Sequence, residues 1–282
     1  MKQIERIDQL RSELQYYRER KKSCGFVPTM GALHQGHLSL LRQAREHNDV
    51  VVCSIFVNPI QFNDPVDLQN YPRSLESDKQ MLQAEGCDIV FVPSVEEMYP
   101  GKENETYDFG TLEQGMEASH RPGHFNGVAV VVRKLLEIVK PDKVYFGEKD
   151  FQQLQIIRKL VSMKGLPTTV VAVPTSREDD GLARSSRNMR LKAQERKAAP
   201  EIYRILREAK KKLYAFDTPK QMKEWGLNRL KENSLLQPEY FEVVDMDTLK
   251  QIEQWHETQR CIVCVAVFIG EVRLIDNIVL YS

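Results

Sequence analysis

Ile4, Ile7, Leu10, Leu14 and Tyr17 recur at three- and four-residue steps, a spacing that predicts an amphipathic helix over residues 3–20. A short apolar run at 24–28 follows and leads through a polar turn into a second helical pattern that begins near Gly36. Three further apolar runs, 50–57, 88–93 and 144–147, have strand length and are rich in Val and Ile. Helical periodicity recurs at 74–85, 125–139 and 150–163, and the run 168–174 closes the series. Strands that are apolar on both faces and alternate with helices predict an α/β domain over residues 1–176, a Rossmann-like doubly wound parallel sheet. Ligands of such sheets bind beyond the carboxyl ends of the strands. The chain just after Pro28, Val57, Gly147 and Pro174 is therefore where chemistry is expected.

The pattern changes after residue 176. A polar stretch, 176–189, precedes basic helical segments over 192–216 and a helix that begins near Thr218. There Thr-Pro-Lys-Gln supplies an N-cap residue, a Pro at the first helical position and a Gln at the third. Three β-like segments, 240–244, 261–269 and 272–280, finish the chain. Residues 177–282 read as a smaller C-terminal α+β domain that acts as a lid or clamp, with 176–189 as the hinge.

Composition narrows the function by exclusion. Lys plus Arg and Asp plus Glu are 40 each in 282 residues, so no net field draws in nucleic acid or an anionic membrane. The N-terminus is charged throughout and no apolar stretch approaches the roughly 20 residues that span a bilayer. Four of the five cysteines lie in or beside β-like runs, as small buried hydrophobes of a cytosolic protein. Cys261 and Cys264 form a lone C-x-x-C, but an offset of three in a strand sends the sulfurs to opposite faces, which argues against a metal or redox pair.

The strongest local signal is Pro28-Thr-Met-Gly-Ala-Leu-His34-Gln-Gly36-His37, between a strand and a helix. Gly31 and Gly36 permit close backbone approach, and N–H groups at the helix start favour a phosphate. His34 and His37 share a face if the helix begins one residue early, and both can then hydrogen-bond polyphosphate oxygens. Lys149 follows the strand that ends at Gly147 and is a point charge suited to phosphate. Asp150 beside it is a hard oxygen ligand suited to Mg²⁺ carried by ATP. Ser185, Ser186 and Arg187 offer hydroxyls and a guanidinium for the β- and γ-phosphates, and a loop closing there would exclude water.

H-x-G-H after the first strand resembles the nucleotidyltransferase superfamily that includes the class I aminoacyl-tRNA synthetases. The longer run, followed in order by Val57-Asn-Pro-Ile-Gln-Phe62, Arg121-Pro-Gly-His-Phe-Asn-Gly127, Tyr145-Phe-Gly-Glu-Lys-Asp-Phe-Gln-Gln-Leu154 and Asp180-Gly-Leu-Ala-Arg-Ser-Ser-Arg-Asn188, is similar to the pantothenate synthetase family. These blocks cover the whole first domain. The resemblance implies an ATP-dependent ligase that activates pantoate as an enzyme-bound acyl-adenylate and joins it to β-alanine, releasing AMP and pyrophosphate. It assigns ATP contacts to Met30, Gly31, Ala32, Leu33, His34, Gln35, Gly36, His37, Gly147, Glu148, Lys149, Asp150, Ser176, Arg184, Ser185, Ser186 and Arg187. Pantoate or β-alanine falls to Gln61, Gln153, Met30 and Asn58, and catalysis to His37, His34 and Lys149. Asp150 meets the Mg²⁺ that comes with ATP, and no tightly bound organic cofactor is implied. A cytoplasmic homodimer with no nucleic-acid or membrane partner completes the expectation.

His37 suits proton transfer or a hydrogen bond to the bridging phosphate oxygen, and the residues alone leave both open. Glu117, Arg121 and His124 belong to blocks that shape the pocket or a subunit contact, while His47, His120 and His256 read as surface residues. Arg184 stands where the family more often has an apolar residue, Ser176 replaces an aliphatic one and Phe151 a Tyr. A nucleotidyltransferase acting on a phosphate ester would want a basic acceptor site instead of Gln61 and Gln153. A tRNA synthetase would need more basic surface, and a catalytically silent nucleotide-binding protein would not need both histidines with Lys149 and Asp150.

Overall fold

The computed structural model describes residues 1–62 and 65–281, which form two compact units. The first comprises Met1–Phe109, Arg121–Glu148 and Gln153–Pro174; the second comprises Gly110–His120, Lys149–Gln152 and the chain from Thr175 onward.

The first unit is built on six parallel strands: β1 (Lys2–Ile4), β2 (Cys24–Thr29), β3 (Val50–Ile55), β4 (Ile89–Phe91), β5 (Lys143–Gly147) and β6 (Thr169–Val173). Their order across the sheet is β1-β4-β3-β2-β5-β6. From β2 the chain adds strands first on one side and then on the other, so the topological switch lies between β2 and β5, where doubly wound sheets bind ligands. Helices between the strands bury apolar stripes against the sheet, as Leu38, Leu41 and Ala44 of Gln35–His47 do against Val27, Cys53 and Tyr145.

The predicted first helix loses its beginning to a strand. Ile4 fits the helical stripe of Ile7, Leu10 and Leu14, yet residues 2–4 pair with β4 from Lys2↔Ile89 to Ile4↔Phe91, and the helix is Ile7–Glu19. Three residues are too few to display the two-residue alternation of a strand.

The second unit carries an antiparallel sheet in the order β7 (Leu236–Asp245), β8 (Cys261–Ile269), β9 (Val272–Tyr281). Glu201–Lys211 and Pro219–Lys231 pack on it around Ile205, Leu206, Met222, Phe241, Val263 and Val265. The Thr218 hydroxyl caps the second of these helices by accepting from Gln221 N at 3.3 Å. The helical pattern over 192–216 breaks into Ala193–Ala198, Glu201–Lys211 and a short 3-10 turn, because Pro200 lacks an N–H and disfavours helix before it. β7 starts at Leu236, earlier than the alternation suggests, and absorbs Pro238 with a register shift between Pro238 and Tyr240.

Within this unit the short helix Met116–His120 is fastened by Glu117. Its carboxylate receives both Arg273 Nη groups at 2.7 Å and the Tyr240 hydroxyl at 2.9 Å. The five cysteines are all free thiols and buried, and among the described residues no helix is long and apolar enough to cross a membrane.

Candidate active site

β2 pairs with β3 along its whole length, but with β5 only at Gly25↔Lys143 and Phe26↔Val144. Pro28 has no N–H to offer a neighbour, so the two central strands part at their carboxyl ends. A crevice opens where the longest motif leaves β2. Thr29 locks the exit: its hydroxyl donates to Ser54 O at 2.7 Å and accepts from Gly31 N at 3.2 Å.

The next residues are held in an unusual backbone. Gly31 has φ +79° and Ala32 φ +50°, in the left-handed region that costs a residue with a Cβ about 1 kcal/mol or more. A buried carboxylate compensates. Asp78 is 1% exposed and accepts from Ala32 N at 2.9 Å and from Leu33 N at 2.8 Å, with the Ser74 hydroxyl at 3.0 Å. A Cβ on Gly31 would sit 3.0 Å from the same carboxylate, so the loop closes around Asp78 only because that position is glycine. Sequence reasoning missed Asp78. It lies 45 or more residues from the two loop amides it holds and reads as an ordinary acid in the first turn of Leu75–Ala84.

His34 is the N-cap of Gln35–His47, one residue earlier than the helical pattern predicts, and this brings the two imidazoles together. Their ring centroids are 4.1 Å apart. His34 Nδ1 accepts from Gly36 N at 3.1 Å, and His37 Nδ1 accepts from His34 N at a longer 3.4 Å. A ring nitrogen that accepts from an N–H carries no proton, so in each neutral ring the proton sits on Nε2. The N–H of Gly36 is thereby turned to an imidazole and that of His37 to His34 O. These two amides of the helix start are thus spent within the cap.

A second cluster forms at the turn Pro59–Gln61, after β3. Asn58 is fully buried and donates through Nδ2 to Gln61 Oε1 at 3.0 Å and to Gly127 O at 3.1 Å. Gln61 Nε2 donates to Met30 Sδ at 3.2 Å, which joins this turn to the loop after β2. The block at 121–127 holds the turn from behind. Gly127 comes so close that a Cβ there would lie 2.5 Å from Ile60 O. His124 bonds Gln61 O through Nδ1 at 2.8 Å and Arg121 Nη1 through Nε2 at 2.9 Å. Because the carbonyl only accepts and the guanidinium only donates, the His124 proton is on Nδ1.

The remaining predicted residues divide between the units. Gly147 ends β5 and Glu148 follows it in the first, and Gln153 is half-buried in the first turns of Phe151–Met163. Lys149, Asp150, Ser176 and 184–187 fall in the second. The Lys149 backbone is held there by Asn277 Nδ2, which donates to its carbonyl at 3.0 Å. Neither the Lys149 ammonium nor the Asp150 carboxylate has a hydrogen-bond or ion-pair partner among the described residues. The stretch 176–190 is an ordered hairpin, not a bare linker. Arg177 bridges Ala183, Arg184 N donates to Ser176 O at 3.0 Å, and Ser185 Oγ accepts from Arg187 N at 3.3 Å before the 3-10 turn Ser186–Arg190. Arg184, the departure from the family pattern, pairs with Glu178 at 3.0 Å and donates to Arg177 O, so its guanidinium serves the hairpin itself.

Known proteins agree with this architecture. A family model described as pantoate-beta-alanine ligase matches residues 2–279. A pantothenate synthetase of Porphyromonas gingivalis is 50% identical over 272 residues, 96% of either chain, and one of Cytophaga hutchinsonii is 47% identical over 98% of either chain. The solved pantothenate synthetase of Thermus thermophilus superposes with a TM-score of 0.93 over the whole of both chains at 41% identity. A Francisella tularensis pantoate-beta-alanine ligase, solved in complex with beta-gamma ATP and beta-alanine, gives 0.82 at 36% identity, over 99% of this chain and 98% of that one. With its fold and nearly its full length shared with these enzymes, the chain belongs to the pantoate-beta-alanine ligase family.

Proposed function

We propose that the chain joins pantoate to β-alanine in two half-reactions that convert ATP to AMP and pyrophosphate. The observation that carries this reading is the His34–His37 pair, capped onto one helix at the crevice where β2 and β5 part. Carboxylates titrate near 4, so pantoate arrives as the anion it must be to react. One carboxylate oxygen attacks the α-phosphorus, the bond to the bridging oxygen breaks, and pyrophosphate departs. The difficulty is repulsion between two anions, which calls for positioned donors and cations more than for a base. With Nδ1 turned to the backbone, the His37 ring acts as an Nε2–H donor to the oxygen that takes up charge, and His34 does the same beside it. In the second half-reaction the β-alanine amine, having lost its proton, attacks the acyl carbon and AMP leaves.

Gln61 and Met30 hold pantoate, with the buried Asn58 behind Gln61 and Gln153 as a further amide. Neutral amides read carboxylate and hydroxyl oxygens without tying up the lone pairs needed for attack, as a bidentate arginine would. Lys149 is assigned to the phosphates, with Met30–His37, Gly147, Glu148, Ser176 and 184–187 as further nucleotide contacts. Asp150 fits an ion of the Mg²⁺ kind, which takes one or two protein carboxylates and fills its shell with phosphate oxygens and water. That ion would supply charge neutralisation at the phosphates. Residues 177–282 act as a lid that keeps water from the adenylate, in a cytoplasmic homodimer whose state sedimentation would report.

Product analysis tests the reading. Incubation with ATP, pantoate and β-alanine should yield pantothenate, AMP and pyrophosphate in equal amounts. ADP and orthophosphate as products would overturn it.

A further inference from the structure

We propose that Tyr99 is a positioning residue for pantoate, which acts through Asn58 to hold the Gln61 amide in place against the substrate. The inference rests on the reading of Gln61 as a pantoate contact. Its starting point is a group whose role is not reversible. The Gly127 carbonyl only accepts, and Asn58 Nδ2 donates to it at 3.1 Å. Asn58 Oδ1 must then face the other way, and the Tyr99 hydroxyl donates to it at 2.7 Å. The second hydrogen of Asn58 Nδ2 goes to Gln61 Oε1 at 3.0 Å. Gln61 therefore has its oxygen occupied from behind. Its Nε2 donates to Met30 Sδ and keeps a second N–H for an oxygen of the ligand.

The Gly127 carbonyl sets this polarity, and the Tyr99 hydroxyl holds the far end of the amide. Asn58 is fully buried, so without that hydroxyl its Oδ1 would be left without a donor, which buried acceptors tolerate poorly. The Asn58 amide would then be held from one side only, and a shift of it would carry the Gln61 amide bonded to it away from the pantoate carboxylate. The hydroxyl prevents that shift. Burial holds the Tyr99 phenol above its ordinary value, so it keeps the proton that it donates. Its ring is located by Phe56 at 5.9 Å and by the Lys134 ammonium at 5.2 Å.

The test is steady-state kinetics of Tyr99→Phe, which keeps the ring, in the wild-type and Gln61→Ala backgrounds, with thermal melts to confirm folding. In the wild-type background the KM for pantoate should rise about fivefold, the worth of one neutral hydrogen bond, while the KM for ATP stays as it was. In the Gln61→Ala background the same change should do nothing further. An unchanged pantoate KM, a parallel rise for ATP, or a full fivefold effect on top of Gln61→Ala would overturn the proposal. A second measurement needs no Tyr99 variant. The Gln61 side-chain NH₂ resonances of the wild-type protein, assigned by their loss in Gln61→Ala, should shift when pantoate is added, and their indifference would contradict it. A wild-type enzyme that does not use pantoate would remove the reading of Gln61 and this inference together. A normal wild type with an indifferent Tyr99→Phe would remove this inference alone.

Discussion

Asp78 and Glu117 are buried carboxylates of the two units, 1% and 8% exposed, and each is answered in a different way. Glu117 meets a full positive charge, the Arg273 guanidinium, with the Tyr240 hydroxyl beside it. Asp78 is met by neutral donors, two of them backbone N–H groups of a loop with a residue at φ +50°. An ion pair fastens one piece of chain to another, and its partners could be exchanged for apolar ones with little loss. A carboxylate given over to amides does something else: it holds a backbone shape that the chain would not keep alone. That second device stands directly before His34, a residue assigned to the chemistry, whereas the first ties Met116–His120 to the antiparallel sheet.

Substitutions can break the contrast. Asp78→Ala should be the most damaging, because it orphans two buried N–H groups and releases the loop; about 4 kcal/mol of stability should disappear in urea unfolding. Whatever still folds should show turnover far below the wild type. Glu117→Ala leaves the Arg273 guanidinium with Glu239 alone, and should lower stability by about 3 kcal/mol while the KM values for ATP and pantoate stay in place. Were Glu117→Ala the catalytically crippled variant and Asp78→Ala the merely unstable one, the two roles would have been exchanged. His37→Ala sits on the chemical side. Its melting temperature should match the wild type, and its turnover should fall at least about a hundredfold.

A further effect, confined to high pH, should appear in both units. Burial pushes the thiols of Cys24 and Cys87 in the first, and of Cys261 in the second, from 9.0 up to about 12. Above pH 9 the unfolded chain releases these protons while the folded chain keeps them. Their contribution is complete below pH 9 and is lost as pH climbs toward 12. Melting temperature should fall across that window; a flat profile there would mean that the thiols are not shielded.

Legibility in the sequence followed the length over which a signal is written. The parallel sheet was readable because each strand alternates with a helix long enough to show its period, and the H-x-G-H cap because glycines and histidines crowd into ten residues at a strand end. Residues 2–4 were not, since three positions carry no period and Ile4 also suits a helix. Pro200 was a visible break within an otherwise helical composition, and charge periodicity on both sides concealed it. The supports of the site were the least legible. Asp78 and Tyr99 act over 41 to 46 residues of intervening chain, and nothing local distinguishes either from an ordinary helix acid or a core-edge tyrosine. The rings assigned to the substrate are announced by their spacing, whereas the groups that support the loops around them are found only once the chain is folded.

The account stands or falls on adenylate formation at the β2 edge. The most direct measurement is exchange of labelled pyrophosphate into ATP with pantoate present and β-alanine absent. Label should enter ATP with the wild type, only when pantoate is supplied, and at least about a hundredfold more slowly with His37→Ala. No exchange by the wild type, or exchange indifferent to pantoate, would contradict it.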